Sequence, residues 1–374
     1  MFNISLRSLG LGVLAALIMG SASAQIHIGQ TSGFTGPVAA SVKEINAGAK
    51  LYLDHVNEGG GVNGQRIELV SLDDKFEVKL AVENAKKLIA DTKIVALFLN
   101  RGTPHAQALI PLLAEGKIPL IAPSTGAMVL HDPVQPYIFN VRATYQREAE
   151  KVIRHLGLAG LNSVGVLYVD DSFGEDAVKG ALKVFREAKE TPAVFAKIDR
   201  VKPDYKTAVA SILKAKPLGI LIVGSQGSVV TGVRAIREAG SEVTIATLSN
   251  NAAGGFIDAL KENARGIIVS QVFPSEKALR VALIAEAARL AKVRELQLTP
   301  AVIEGYAGAK VLVAGLRKAS KDSKEVTRAS LKRALEGFER VDIGGLEISY
   351  SPTDHSGLDF ADLSYIDAEG SFRR

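Results

Sequence analysis

The chain has 374 residues, 47% hydrophobic and 23% charged, with a formal charge of +5 and neither cysteine nor tryptophan. So much apolar sequence at so low a net charge excludes intrinsic disorder, and the lack of cysteine excludes disulfide frameworks, CxxC redox centres, cysteine zinc sites and cysteine nucleophiles. The length suits two domains, and the mild positive charge does not by itself claim a nucleic-acid partner.

Residues 1–24 read as an export signal. Arg7 supplies the positive start, the apolar run over 9–19 has 11 residues, and Ala22-Ser23-Ala24 is a small-x-small cleavage site. That run falls short of the roughly 20 apolar residues of a membrane span, so cleavage after Ala24 and a periplasmic product are expected. Short β-branched runs then alternate with segments of helical period. Strands are expected over 26–31, 66–73, 94–99 and 118–122, with helices over 41–57, 77–91 and 104–115 between them. Helices over 145–156, 175–189, 205–215, 228–239 and 254–261 continue the pattern, with strands over 163–169, 193–198, 219–223, 243–247 and 266–271. Three helices follow, over 276–292, 300–319 and 324–336, and strands over 347–350 and 360–367 finish the chain.

Such alternation specifies parallel sheets covered by helices on both faces. The strands are too many and too interrupted for one six-stranded sheet, so an α/β fold of two doubly wound parallel-sheet lobes is expected. Loops at 140–144, 272–275 and 351–357 are candidate crossings between lobes. They divide the chain into lobe 1 (25–141 plus 272–351) and lobe 2 (142–271 plus 352–374).

In open α/β sheets, ligands bind at the carboxyl ends of strands. The loop after the first strand, Gln30-Thr31-Ser32-Gly33-Phe34-Thr35-Gly36-Pro37, matches neither GxGxxG nor GxxxxGK[ST]. It is either a plain connection or a ligand loop in which Ser32 and Phe34 are the candidates. After the third strand, Thr103 suits a helix N-cap and Pro104 a first helical position. Arg101 beside that helix start is a candidate carboxylate donor. After the fourth, Ser124 and Thr125 lie in another hydroxyl-rich turn. Later strands are followed by Asp170-Asp171-Ser172-Phe173-Gly174, Gly224-Ser225-Gln226-Gly227 and Leu248-Ser249-Asn250-Asn251.

Enzyme signatures fail. There is no GxSxG or HExxH, and the SxxK match at Ser211–Lys214 lies in a helix without SDN or KTG. The six histidines show no i,i+3 or i,i+4 pairing, so no metal site is expected. No catalytic residue and no cofactor are assigned. Asp73-Asp74 is expected to be solvated or capping, and Gly59–Gly64 a turn.

Five features occur together in one known family. They are Ser32-Gly33-Phe34-Thr35-Gly36-Pro37, Ile45-Asn46-Ala47-Gly48-Ala49, Val56-Asn57-Glu58-Gly59-Gly60-Gly61-Val62-Asn63-Gly64, the Asp73-Asp74 strand end, and Asp170-Asp171-Ser172-Phe173-Gly174. The chain thereby resembles the periplasmic solute-binding proteins of branched-chain amino-acid-type ABC transporters, over essentially its whole length after Ala24. The resemblance implies the type I, two-lobed, Venus-flytrap fold, with three crossovers forming a hinge and a cleft that closes on ligand. It implies an ABC permease and ATPase in the inner membrane as partners, a small amino acid or carboxylate as ligand, a monomer, and no nucleic acid. A ligand-sensing subunit that hands its closed state to a receptor or regulator is the alternative.

The resemblance also distributes roles. In the leucine/isoleucine/valine binders a hydroxyl and N–H groups after strand three hold the substrate carboxylate, and here Arg101 or Thr103 would substitute. The turn that holds both carboxylate and ammonium matches Ser124-Thr125-Gly126. A tyrosine of the second lobe corresponds to Phe173, and a second tyrosine position falls at Gln226. The acid that pairs with the ammonium falls at or near Ser249, where no acid stands. Phe34, Phe173 and Tyr145 would supply apolar walls. A buried ammonium without a carboxylate is costly, so the pattern points to a small carboxylate, aromatic, branched or amide-bearing. An ordinary amino acid stays open if Asp170, Asp171 or Glu304 reaches the cleft.

Overall fold

The computed structural model describes residues 25–200, 202–321 and 325–374. The expected export signal over 1–24 lies outside the described residues. Five parallel strands build the first sheet: β1 (Gln25–Ser32), β2 (Arg66–Asp73), β3 (Ile94–Phe98), β4 (Leu120–Ile121) and β5 (Ile138–Phe139), in the order β2-β1-β3-β4-β5. Between them run α1 (Ala39–Glu58), α2 (Val78–Ala90) and α3 (Thr103–Glu115). The chain then crosses to α4 (Tyr145–Leu158) and a second sheet. Its parallel strands are β6 (Val164–Val169), β7 (Val194–Ile198), β8 (Gly219–Val223), β9 (Thr244–Thr247) and β10 (Ile268–Gln271). The helices among them are α5 (Ser172–Ala188), α6 (Tyr205–Ala215), α7 (Gln226–Glu238) and α8 (Gly254–Leu260).

After β10 the chain returns to the first lobe as α9 (Ala282–Val293), α10 (Pro300–Ala319) and α11 (Arg328–Glu336), followed by the short antiparallel pair β11 (Val341–Asp342) and β12 (Glu347–Ile348). A third crossing leads to β13 (Asp362–Ile366) and β14 (Phe372–Arg373). These two extend the second sheet antiparallel, giving the order β14-β13-β10-β9-β8-β6-β7. The result is two doubly wound α/β lobes joined by three strands of chain. The first and third crossings bind each other: Asn140 N–H donates to the His355 carbonyl at 2.9 Å and Leu358 N–H to the Val141 carbonyl at 3.1 Å.

The central strands β3, β6 and β8 are buried on both faces, which is why they read as continuous apolar runs. In β8, Ile220 and Ile222 join the core under α6, α7 and α8, while Leu221 and Val223 join the core under α4 and α5. The first sheet packs one face on α2 and α3 and the other on α1, α9, α10 and α11. Helix α10 is buried on nearly every side. It crosses α1 at near backbone contact: a Cβ on Gly305 would lie 1.7 Å from the Ile45 carbonyl oxygen, and one on Gly48 1.9 Å from that of Val302.

Two expected helices start late. The segment 276–281 forms successive turns, with Ala278 N–H on the Ser275 carbonyl and Val281 N–H on that of Ala278, so α9 begins at Ala282 rather than at 276. Helix α11 begins at Arg328, where Thr327 and Ser330 form a reciprocal capping box. Three helices start two or three residues early, the first of them α1 at Ala39. Asp171 caps α5 through the N–H groups of Phe173 and Gly174, at 2.9 and 3.2 Å, and α7 begins at Gln226. The strands β5, β11 and β14 went unanticipated because two residues carry no readable period.

Candidate functional site

The loops at the carboxyl ends of both sheets face each other, and a cavity of about 20 Å³ lies between them. Phe76, Arg101, Gly102 and Thr103 line it from the first lobe, and Tyr145, Phe173, Arg200, Ser225 and Asn250 from the second. Such a volume holds about one water, so the lobes meet almost completely here. A larger hollow of about 370 Å³ between α4 and α5 contains none of the strand-end loops.

Arg101 is central, and only 4% of it is exposed. Its backbone extends the parallel ladder by bridging to Ser124, which places the two strand-end turns side by side. One of its guanidinium nitrogens, Nη1, donates to Ser124 Oγ at 2.7 Å, and Nη2 donates across the cleft to the Asn250 carbonyl at 2.7 Å. Ser124 Oγ in turn donates to Glu304 Oε1 at 2.7 Å. The turn needs glycine next: Gly102 has φ +97°, and a Cβ there would meet Phe76 and His105 at 2.8 Å. Gly102, not Thr103, is therefore the N-cap of α3. Thr103 sits inside the first turn, its hydroxyl paired with that of Thr125 at 2.7 Å.

The walls are aromatic. The Tyr145 and Phe173 rings lie 4.7 Å apart, and Arg142 stands 4.5 Å over Tyr145. Across the cleft Phe76 stacks on His105 at 4.5 Å, and Arg200 of the second lobe covers Phe76 at 5.4 Å. Arg200 is ion-paired with Asp171. Burial, with the Arg200 charge adding to it, pushes the His105 pKa down to about 4, so that ring is neutral at neutral pH. A second bridge between lobes comes from α1, where Glu44 accepts the N–H groups of Gly254 and Gly255 at 3.0 and 2.9 Å.

Beneath these walls lies a buried ionic node at the first crossing. Glu148 accepts from Arg142 Nη2, from Ser249 N–H at 2.9 Å and from Ser270 Oγ at 2.5 Å, and Ser249 Oγ accepts from Arg142 at 2.9 Å. Burial alone would lower the Arg142 pKa, but the adjacent Glu148 carboxylate raises it on balance.

Of the expected ligand residues, Arg101, Thr103, Tyr145 and Phe173 line the cavity, while Ser124 and Thr125 sit directly behind it, bonded to Arg101 and Thr103. Ser249 belongs to the Glu148 node. Gln226 donates to the Gly255 carbonyl at 3.0 Å and its Oε1 is buried without a protein partner. Ser32 is buried at the end of β1, also with an unpartnered hydroxyl. Phe34 is half-buried and does not line the cavity; Val38 and Phe76 take that wall. The reason is that Thr35 is tied to Asp73, through its N–H at 3.1 Å and its hydroxyl at 2.6 Å, which holds the loop back on β2. Among the acids considered for the cleft, Asp171 is engaged by Arg200, and Glu304 reaches Ser124. Phe76, Arg200 and Glu148 were not anticipated. Arg200 follows a strand end, so the rule that singled out Arg101 applies to it equally.

Asp74 of the Asp73-Asp74 pair is not a helix cap, since Glu77 is the N-cap of α2, but it holds the turn before that helix. It is fully buried, accepting from Thr31 Oγ1 at 3.1 Å and Phe76 N–H at 2.9 Å, and burial pushes its pKa up to about 6. A carboxyl whose pKa is higher folded than unfolded holds extra protons in the native state, so stability falls as pH rises from the unfolded value of 3.8 to about 6. Asp74→Asn removes that charge and is expected to raise stability at pH ~7.5 by about 2 kcal/mol, with little gain at pH ~4. Thermal melts at both pH values check this; a loss at pH ~7.5 that disappears at pH ~4 would mean that the ionised carboxylate holds the turn.

A family model described as periplasmic binding protein matches residues 25–367. The Leu/Ile/Val-binding protein homolog 3 of Brucella melitensis is 24% identical over 346 residues, covering 89% of each chain. The Leu/Ile/Val-binding protein BraC3 of Rhizobium johnstonii is 25% identical over 336 residues, covering 84% of this chain and 85% of its own. Among solved structures, a substrate-binding periplasmic protein from Ralstonia solanacearum superposes with a TM-score of 0.84 at 28% identity, covering 93% of this chain and 99% of that one.

Proposed function

The chain belongs to the periplasmic binding protein family, and from that premise we propose that it is the solute-capturing component of an ABC importer, exported to the periplasm with its signal removed after Ala24. It binds without turnover and presents the solute to a membrane permease and its ATPase. The division into lobe 1 (25–141 plus 272–351) and lobe 2 (142–271 plus 352–374) is part of this reading, with the three crossings acting as the hinge. Ligand touches both lobes only when they meet, so binding shifts the lobes toward closure by its differential affinity for that state.

The observation that carries the ligand class is the charge of the cavity wall: Arg101 and Arg200 line it, and among the described residues no carboxylate does. A small carboxylate satisfies Arg101, Arg200 being already paired with Asp171, and the rings of Phe76, Tyr145 and Phe173 receive an aromatic or branched body. The cavity of about 20 Å³ is too small for such a solute, so the lobes part to admit it.

The test is a thermal-shift screen of the mature chain against aromatic acids, branched short-chain acids, amides and α-amino acids. A ligand at 100 times its dissociation constant adds about 2.7 kcal/mol, and a carboxylate is expected to give the largest shift. A screen in which no carboxylate moves the melting temperature defeats the ligand assignment, and chemical turnover of a bound solute defeats the transport role.

A further inference from the structure

We infer that Arg101 is the specificity-determining residue of the cleft: its guanidinium fills the subsite that would otherwise receive a ligand ammonium, so the protein selects carboxylates lacking an α-amine. This rests on the carboxylate reading above and adds the residue that enforces it.

The groups around the guanidinium are acceptors suited to a cation. Ser124 Oγ gives its proton to Glu304 at 2.7 Å and so turns its lone pairs toward Arg101, 2.7 Å away. The Asn250 carbonyl supplies a second acceptor from the opposite lobe at 2.7 Å. Glu304 behind Ser124 provides the negative charge, and all three residues are buried, at 1%, 6% and 7% exposure for Ser124, Asn250 and Glu304. Two acceptors from different lobes backed by a carboxylate are what an ammonium requires for burial. Here the chain's own side chain occupies them.

Asp171 and Glu148, two further anions beside the cavity, are already engaged. Asp171 is committed to Arg200 and to the N–H groups of Phe173 and Gly174. Glu148 is committed to Arg142, Ser249 and Ser270. A ligand ammonium would therefore meet the Arg101 cation in a site of low dielectric, Arg200 being already paired with Asp171. A ligand carboxylate meets the same cation favourably. Arg101 spends two of its donors on the protein, and a guanidinium carries five.

Arg101→Ser removes the surrogate cation and leaves Ser124, Glu304 and the Asn250 carbonyl open to the cavity. The experiment is titration calorimetry on wild type and R101S with two pairs that differ only in the amine: hydrocinnamate against L-phenylalanine, and isocaproate against L-leucine. Wild type is expected to bind at least one acid more than about tenfold tighter than its amino-acid partner. R101S is expected to reverse that preference, gaining about tenfold or more for the amino acid. E304Q added to R101S is expected to abolish the gain. R101K, which keeps a cation on Ser124, is expected to keep excluding amino acids, and serves if R101S does not fold.

If wild type binds the acids but R101S does not shift the preference toward the amino acids, or R101K admits them, the inference falls and the carboxylate reading stands. If wild type binds the amino acids as tightly as the acids, the inference falls. If wild type binds neither acid, the inference falls, and the thermal-shift screen decides the ligand reading.

Discussion

Replacing Glu148 with alanine is expected to destabilise the protein by about 3–5 kcal/mol, the usual cost of removing one partner from a buried ion pair. Glu148 is fully buried and Arg142 is 2% exposed. The substitution leaves the guanidinium without its counter-charge and also orphans Ser249 N–H and Ser270 Oγ. Those groups belong to the turn after β9, to β10 and to the first crossing, so one carboxylate ties the second sheet to the strand of chain entering it. Urea unfolding checks the magnitude. Glu148→Gln keeps the acceptors but not the charge and should cost less. The double substitution E148A with Arg142→Met should recover part of the loss, because an apolar pair of similar volume has no charge left to desolvate. A loss below about 1 kcal/mol for E148A would mean that water reaches Arg142 and that the node is not dry.

Gly305→Ala is expected to cost about 3 kcal/mol, at the upper end of ordinary overpacking. The added methyl would lie 1.7 Å from the Ile45 carbonyl oxygen, an atom of helix backbone that no rotamer change moves. Helices α1 and α10 must separate, and α10 sits at the centre of the largest core. Gly48→Ala strikes the same crossing from the other helix, at 1.9 Å from the Val302 carbonyl oxygen. The two losses should be less than additive, since helices already parted by one methyl have room for the other. Simple additivity, measured by the same unfolding series, would mean that each helix yields locally and the crossing itself does not shift.

The elements most fully legible in the sequence are those whose signals are local. Arg66–Asp73, Tyr205–Ala215, Gly219–Val223 and Pro300–Ala319 have the bounds that periodicity, Pro at a helix start and turn residues imply. The late start of α9 was not legible, because 276–281 keeps an apolar pattern that continues the helix on paper. What interrupts it is a pair of consecutive turns. The loop over 30–37 reads as a ligand loop from its hydroxyls and ring, yet Thr35 spends its donors on Asp73 across the β1–β2 register. That pairing involves residues 38 positions apart.

Three properties of this protein follow from its sequence alone: the alternation of strand and helix, the division of many strands into two sheets, and the concentration of hydroxyls, glycines and Arg101 at strand ends. Each depends on side-chain period or backbone preference within a few residues. Tertiary structure alone decided which charges answer which. Arg101 lies 149 positions from the Asn250 carbonyl it binds, and Ser124 lies 180 from Glu304. Coulomb and hydrogen-bond energies fall with distance through space and not along the chain. The sequence therefore shows that an arginine stands at the mouth of a helix, and only the folded lobes show which acceptors it reaches, Ser124 Oγ and the Asn250 carbonyl.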